Sequence, residues 1–405
     1  MVVKIKKSTA FGRVTAPPSK SMAHRYLICG ALSGGKSKIS GISFSQDIEA
    51  TLGCLEALGA DIAVEGDTVT LGGIDINKGI KSNMLFCNES GSTLRFLIPL
   101  CLLFDEKILL TGSERLFKRS LSVYEKLCSE QNIPFIQNDN VVGLKGKLQS
   151  GKYSVRGDIS SQFISGLMFS LPLLSDDSTI EIIGNLESGS YLGLTVKALA
   201  DFGVRISRSD EHTIFIKGGQ VYKKRDIKVE GDYSNAAFLD VFNLLGGNVA
   251  VTGLDGNSAQ GDRVYKDIFQ QLRSGCPTVD ISDCPDLGPI LMALAAALNG
   301  AVFTGTRRLR IKESDRGEAM KQELAKFGCK VDVKENQITV HKCELKTPQM
   351  PLMGHNDHRI VMSMAVLASI TGGEIYGAEA VSKSYPDFFG KLEDLGIDLK
   401  VDEII

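Results

Sequence analysis

The chain has 405 residues, 43% of them apolar and 23% charged, with a formal net charge of −2; it is long enough for two or three domains or one large duplicated architecture. That balance is ordinary for a globular protein and gives no reason to expect nucleic acid or an acidic membrane as partner, so any anionic ligand must be met by local clusters of Lys and Arg. Nine cysteines, an odd number with no CxxC spacing, point away from a zinc cluster and a disulfide framework and toward small core residues in a reducing cytosol.

The N-terminal MVVKIKKSTAFGRV has no apolar stretch of signal-peptide type, so the chain is expected to be cytoplasmic. APPSKSMAHRYLICGAL follows. Two prolines stop any preceding element, Ser19 is placed to cap a helix, and Lys20, Ser21 and Arg25 lie around its first turns. A lysine, a serine and a forked guanidinium at a helix start suit phosphate or carboxylate; a capped helix with solvated charges explains them as well. GALSGGKS (30–37) satisfies the phosphate-binding loop pattern letter by letter. The order around it is wrong, however, with a helix before it and a strand after it, so it is expected to be an ordinary turn.

LEALGADIAVEGDTVTLGG (55–73) is an amphipathic helix, a glycine break and two short strands around a polar turn. The pattern returns at 127–146, 199–219 and 324–343, and more weakly at 272–282 and 392–403. The breaks recur about every 67 residues, a period that predicts six folding units of mixed α and β character. Between them lie NESGSTLRFL (88–97), a turn feeding a helix with Gly91 and Arg95, and SERLFKRSL (113–121) with Arg119. The run Phe96–Phe104 is apolar but too short to span a bilayer.

GDISSQF (157–163) sets Ser160, Ser161 and Gln162 at the start of an apolar helix, and Ser188 repeats the arrangement one unit later. One polar residue would suffice as a cap, so three suggest binding of hydroxyl and phosphate groups. NAAFLDVFNLLGG (235–247), DLGPILMALAAALNG (286–300) and DHRIVMSMAVLASITGG (357–373) are apolar nearly all round and belong at the centre of a lobe. Asn235, Asp286 and Asp357 fall at or near their N-termini, where anions are favoured. Asp286 is either a cap or a proton-transfer group. RLRIKESDRGEAM (308–320) interleaves Arg310, Lys312 and Arg316 with Glu313 and Asp315; such packing makes a salt-bridged surface or holds active-site groups in shifted ionisation states. HNDHRIVM and SKSYPDFF add Arg359 and Lys383.

Taken in order over almost the full chain, PPSKSMAHR, ESGSTLR, KRSL, DISSQF, ESGSY, EGDYSNAAF, CPDL, RIKESDR, NDHR and KSYPDFF resemble the 5-enolpyruvylshikimate-3-phosphate synthase family of enolpyruvyl transferases. The resemblance implies an α/β (α+β) two-lobed fold of six βαβαββ units, three per lobe. One lobe would be residues 1–18 plus 230–405, on the phosphoenolpyruvate side; the inserted lobe would be 19–229, on the shikimate-3-phosphate side. It also implies transfer of the enolpyruvyl group of phosphoenolpyruvate to the 5-hydroxyl of shikimate-3-phosphate, in the shikimate pathway, by a cytoplasmic monomer needing no metal or other cofactor. Lys20, Asp286 and Glu313 would be catalytic, and lobe closure would bring Lys20 and Arg119 to Asp286, Glu313 and Arg359.

Shikimate-3-phosphate would meet Lys20, Ser21, Arg25, Ser160, Ser161, Gln162, Ser188, Asp286 and Lys312. Phosphoenolpyruvate would meet Lys20, Gly91, Arg119, Gln162, Arg316, Arg359 and Lys383, with the herbicide glyphosate competing beside Gly91 in sensitive members. Glu89 and Arg308 stand where the family often has Asn. The alternatives are the sister enzyme acting on UDP-N-acetylglucosamine, from which Lys20-Ser21 in place of Lys-Asn departs, and a non-catalytic anion-binding protein.

Overall fold

A computed structural model describes residues 1–402. The chain divides into two compact units, one formed by residues 1–17 with 231 onward and the other by the inserted residues 18–230. Each has its own hydrophobic core.

Three small sheets belong to each unit among the described residues. The recurring element is a parallel strand pair joined across a buried helix, followed by a second helix and an antiparallel hairpin. Residues 84–144 show it: strand Met84–Phe86, helix Gly91–Cys101, parallel strand Ile108–Thr111, helix Ser122–Glu130, and the hairpin Phe135–Asn138 with Val141–Leu144. The helix-break-hairpin pattern of the sequence is the second half of this unit.

One repeat departs from that expectation. After helix Tyr265–Ser274, strand Thr278–Asp280 turns into no hairpin but pairs in parallel with Ala301–Thr304 and opens the next unit. The sheet left behind has two strands, Asn248–Thr252 beside Phe11–Thr15, where the others have four. The weak copy at 272–282 was therefore the junction of two units.

The apolar helices form the centres of the cores, as their all-round hydrophobicity predicts. In the inserted unit, Ser160 caps helix Ser161–Ser170 through Gln162 N, and Ser90 caps helix Gly91–Cys101 through Thr93 N. The buried Tyr124 hydroxyl ties the two together, donating to the carbonyls of Arg95 at 2.6 Å and Phe163 at 3.1 Å. In the discontinuous unit, helix Tyr233–Asp240 is capped by Asp232, not by Asn235. Helix His358–Thr371 is capped by Asp357. The phosphate-loop look-alike is the end of helix Lys20–Ala31 followed by strand Ser37–Ser40, the inverted order expected of a turn.

Cys329 and Cys343 are joined by a disulfide, with Cα atoms 5.4 Å apart, although the scattered spacing pointed away from disulfides. The hairpin explains the meeting. Val331 pairs with Val340, and the ladder extends through His341 N to the Lys330 carbonyl, which brings residues 14 positions apart together at its open end. Six of the remaining seven cysteines are buried and Cys276 is exposed. Among the described residues no helix is long and apolar enough to cross a membrane.

Gly166 marks the tightest helix contact: a Cβ there would collide with Tyr124 Oη and the Arg95 carbonyl. Gly166→Ala is therefore expected to destabilise the protein by about 1–3 kcal/mol in urea unfolding. Gly193→Ala, on a helix position with nothing within 4 Å, should be neutral or slightly stabilising. Equal midpoints for the two variants would contradict this packing.

Candidate active site

In the inserted unit the site residues gather at helix N-termini. Ser19 caps helix Lys20–Ala31 by accepting from Met22 N, and Lys20 Nζ lies 2.6 Å from Asp47 Oδ2. Asp47 was not singled out from sequence; it sits in the first turn of helix Gln46–Ala57, and only folding brings it to Lys20 across 27 positions. A hydroxyl chain joins three helix starts: His24 Nδ1 to Thr51 Oγ1 at 2.8 Å, Thr51 to Thr93 at 2.7 Å, and Thr93 to Ser90 Oγ at 2.7 Å. Burial, then Lys20 and Arg25, push the His24 imidazole well below its usual pKa, so it is neutral in this chain.

Arg25 is 2% exposed and spends three donors on the protein, Nε to Thr195 Oγ1, Nη1 to the Ser21 carbonyl and Nη2 to the Tyr191 carbonyl. It binds helix Lys20–Ala31 to helix Gly189–Asp201 and stacks over Phe96. Gln162 bridges the Gly91 turn, its Oε1 accepting from Arg95 Nη1 at 2.8 Å and its Nε2 donating to Ser92 Oγ at 3.0 Å. A Cβ on Gly91 would fall 2.9 Å from Arg119 Nη1 and 3.2 Å from Arg95 Nη1, so glycine is what lets two guanidiniums approach that turn. Ser160, Ser161 and Ser188 are buried, Ser188 in the left-handed region at φ 57°. Glu89 lies 3.9 Å from Arg115.

The discontinuous unit is organised around one cation. Arg316 is 1% exposed and reaches three carboxylates: Nε to Asp357 Oδ2 at 2.9 Å, Nη1 to Asp286 Oδ1 at 2.8 Å, and Nη2 to Glu313 Oε2 at 2.8 Å. Lys312, Glu313 and Arg316 of RIKESDR thus belong to a largely buried network, whereas Arg310 is exposed and bonds the Lys334 carbonyl and Asp315 caps the helix that Arg316 begins. Asp286 makes no cap; it also meets Lys312 Nζ at 3.1 Å and Arg359 Nη2 at 3.7 Å. Burial pushes its carboxyl up, but Lys312, Arg359 and Arg316 together hold it well below the usual carboxylate range, so it is ionised. Burial lowers Lys312, Asp286 raises it, and Arg308 and Arg316 lower it again, leaving it below the ordinary lysine value.

Arg359 Nη2 donates to Ser234 Oγ at 2.7 Å, and the guanidinium lies over Phe238. Its Nε and Nη1 are buried with no hydrogen-bond partner among the described residues. Lys383 Nζ donates to the Asn356 carbonyl at 2.8 Å. Asp357, read from sequence only as a helix start, proves to be the wholly buried partner of Arg316. Asp262 was not read at all. Among the described residues no group of three His, Cys, Asp or Glu side chains is placed to hold a metal ion.

Repeated mixed units with buried cations at helix starts make an α/β fold suited to holding anionic groups. The chain matches the family model for EPSP synthase (3-phosphoshikimate 1-carboxyvinyltransferase) over residues 5–392. It is 42% identical over 416 residues to the 3-phosphoshikimate 1-carboxyvinyltransferase of Clostridium kluyveri and 40% identical over 422 residues to that of Clostridium beijerinckii, covering 97% of each chain in both cases. In fold it is similar to EPSP synthase of Acinetobacter baumannii, with TM-score 0.80 and 22% identity over 99% of this chain and all of that one. The enolpyruvyl transferase NikO of Streptomyces tendae gives TM-score 0.75 at 14% identity over 98% of each. The chain belongs to the EPSP synthase family.

Asp262 yields a test of the network's electrostatics. Burial, then Asp286 and Asp232, push its carboxyl up to about 7 against the opposing pull of Arg359 and Lys312. A carboxyl raised on folding stabilises fully below its unfolded value of about 4, and that contribution is lost as pH rises through about 7. Asp262→Asn mimics the protonated form, so its Tm should exceed wild type at about pH 8 and match it at about pH 4. Identical Tm values at the higher pH would contradict the assignment.

Proposed function

We propose that the chain transfers the enolpyruvyl group of phosphoenolpyruvate to the 5-hydroxyl of shikimate-3-phosphate and releases phosphate, as a step of the shikimate pathway. The hydroxyl oxygen bonds to C2 of phosphoenolpyruvate while C3 gains a proton, giving a tetrahedral intermediate. Loss of a C3 proton and of the phosphate then leaves the enol ether.

Asp286 takes the hydroxyl proton. Unloaded, its charge is held by Lys312, Arg316 and Arg359, which makes it a poor base. Bound phosphate and carboxylate groups share those cations, loosen their hold on Asp286 and raise its proton affinity. Glu313 and Lys20 are the candidates to protonate C3. Arg119, Arg316, Arg359 and Lys383, with Gly91 and Gln162, take phosphoenolpyruvate. Ser21, Arg25, Ser160, Ser161, Gln162, Ser188 and Lys312 take the phosphosugar-like substrate, Arg25 chiefly by fixing Ser21 and Tyr191. The cations also stabilise the charge that develops on the intermediate. No cofactor enters these steps, and the enzyme so read is a cytoplasmic monomer.

The observation that carries the proposal is Arg359, whose Nε and Nη1 are buried beside Asp286 with no protein acceptor among the described residues. Buried guanidinium N–H groups left without an acceptor are costly even where the third nitrogen is paired, and an anionic substrate is the partner that satisfies them.

Phosphate release from phosphoenolpyruvate plus shikimate-3-phosphate tests the proposal. Turnover with that pair is expected. Turnover only with a UDP-sugar acceptor, or with none, would refute it. Lys20→Met should lower kcat by about 100-fold or more with Tm little changed, and Asp286→Asn should lower kcat as much while also lowering Tm, because it takes a counter-charge from Lys312, Arg316 and Arg359; wild-type kcat in either would remove that residue from the mechanism.

A further inference from the structure

The anion groups of the discontinuous unit hang on one short turn. His355 and Asn356 both adopt left-handed backbone, at φ 50° and 53°. Such a pair is unfavourable for side chains with a Cβ and persists only where its surroundings hold it. Its consequences for the site are direct. The Asn356 carbonyl, turned by this geometry, accepts from Lys383 Nζ at 2.8 Å. The next residue, Asp357, accepts from Arg316 Nε at 2.9 Å and from Ser314 Oγ at 2.9 Å. Asp357 also caps the helix that carries Arg359 by accepting from its backbone N at 3.0 Å.

What holds the turn lies behind it. Glu323, 1% exposed near the end of helix Arg316–Lys326, accepts from His355 Nε2 at 2.8 Å and from Met353 N at 2.8 Å. Lys326 Nζ closes the set, at 2.8 Å from Glu323 Oε2 and 2.8 Å from the Pro351 carbonyl. The helix that begins with Arg316 thus ends on a carboxylate gripping both sides of Gly354. On its other side that glycine donates to the Tyr376 carbonyl at 2.8 Å, and it has no room for a Cβ against the Gly377 carbonyl.

We infer that Glu323 and His355 are positioning residues for phosphoenolpyruvate: their hydrogen bond clamps the left-handed 355–356 turn and so sets Lys383, Arg316 and Arg359 at the spacing the anion requires. Neither residue need touch substrate. The clamp rests on the assignment of those three cations to phosphoenolpyruvate.

Steady-state kinetics on the full chain test it with His355→Ala, Glu323→Gln, His355→Gln and, as a control on the cations themselves, Lys383→Met. In His355→Ala and Glu323→Gln the KM for phosphoenolpyruvate should rise about tenfold, the scale of one lost buried hydrogen bond, with the KM for shikimate-3-phosphate within about twofold of wild type. His355→Gln, which offers an N–H at similar reach, should recover most of the loss. A merely structural role would lower Tm and leave the two KM values in their original ratio. Should Glu323→Gln fail to fold, His355→Ala decides, because that side chain is partly exposed. A raised KM in Lys383→Met with a wild-type KM in His355→Ala overturns the clamp alone. A wild-type KM in both overturns the site assignment and the clamp with it.

Discussion

Everything in the discontinuous unit's site depends on burying the Arg316 guanidinium. A charge taken out of water is costly by many kcal/mol unless it is paired and hydrogen-bonded. Arg316 meets that demand with three carboxylates drawn from three separate stretches: Asp286 ahead of helix Gly288–Ala297, Glu313 in the preceding loop, and Asp357 capping helix His358–Thr371. Removing any one strands charge in the interior. The cation therefore fixes in one place the proposed proton acceptor, a proposed proton donor and the helix that carries Arg359. Packing, electrostatics and chemistry share these atoms.

The inserted unit solves a related problem with neutral groups. His24, Thr51, Thr93 and Ser90 join three of its helices, and Gln162, held between Arg95 and Ser92, joins a fourth, helix Ser161–Ser170, so Arg95 is the charged member of an otherwise neutral set. Backbone N–H groups at those starts and the Lys20 and Arg119 cations provide the positive field. A neutral scaffold keeps that field from being cancelled internally. Asp47 is a carboxylate among these groups, and it pairs with Lys20 at 2.6 Å.

Much of this was legible in the sequence because it is local. The Ser19 cap lies three residues from the amide it satisfies, and helices apolar all round announce their burial. The inverted order around GALSGGKS was enough to reject a nucleotide loop. What stayed hidden is long-range pairing. Arg316 finds Asp357 across 41 positions, and no periodicity relates them. The same holds for Lys20 with Asp47 and for Cys329 with Cys343. The misread repeat at 272–282 failed for a similar reason: a single strand pairs equally well backward or forward, and the partner at 301–304 decided it. Arg25, by contrast, was found by motif but not by duty, since nothing local shows that its donors go to Tyr191 and Thr195.

A double-mutant cycle between Arg316 and Asp357, read in kcat/KM for phosphoenolpyruvate with Arg316→Lys, Asp357→Asn and the pair, tests the organising role of the buried cation most directly. If the pair builds the anion site, the two losses should be strongly non-additive, with a coupling energy above about 1 kcal/mol. Losses that add within about 0.5 kcal/mol would show that the two residues act independently, and would contradict the account.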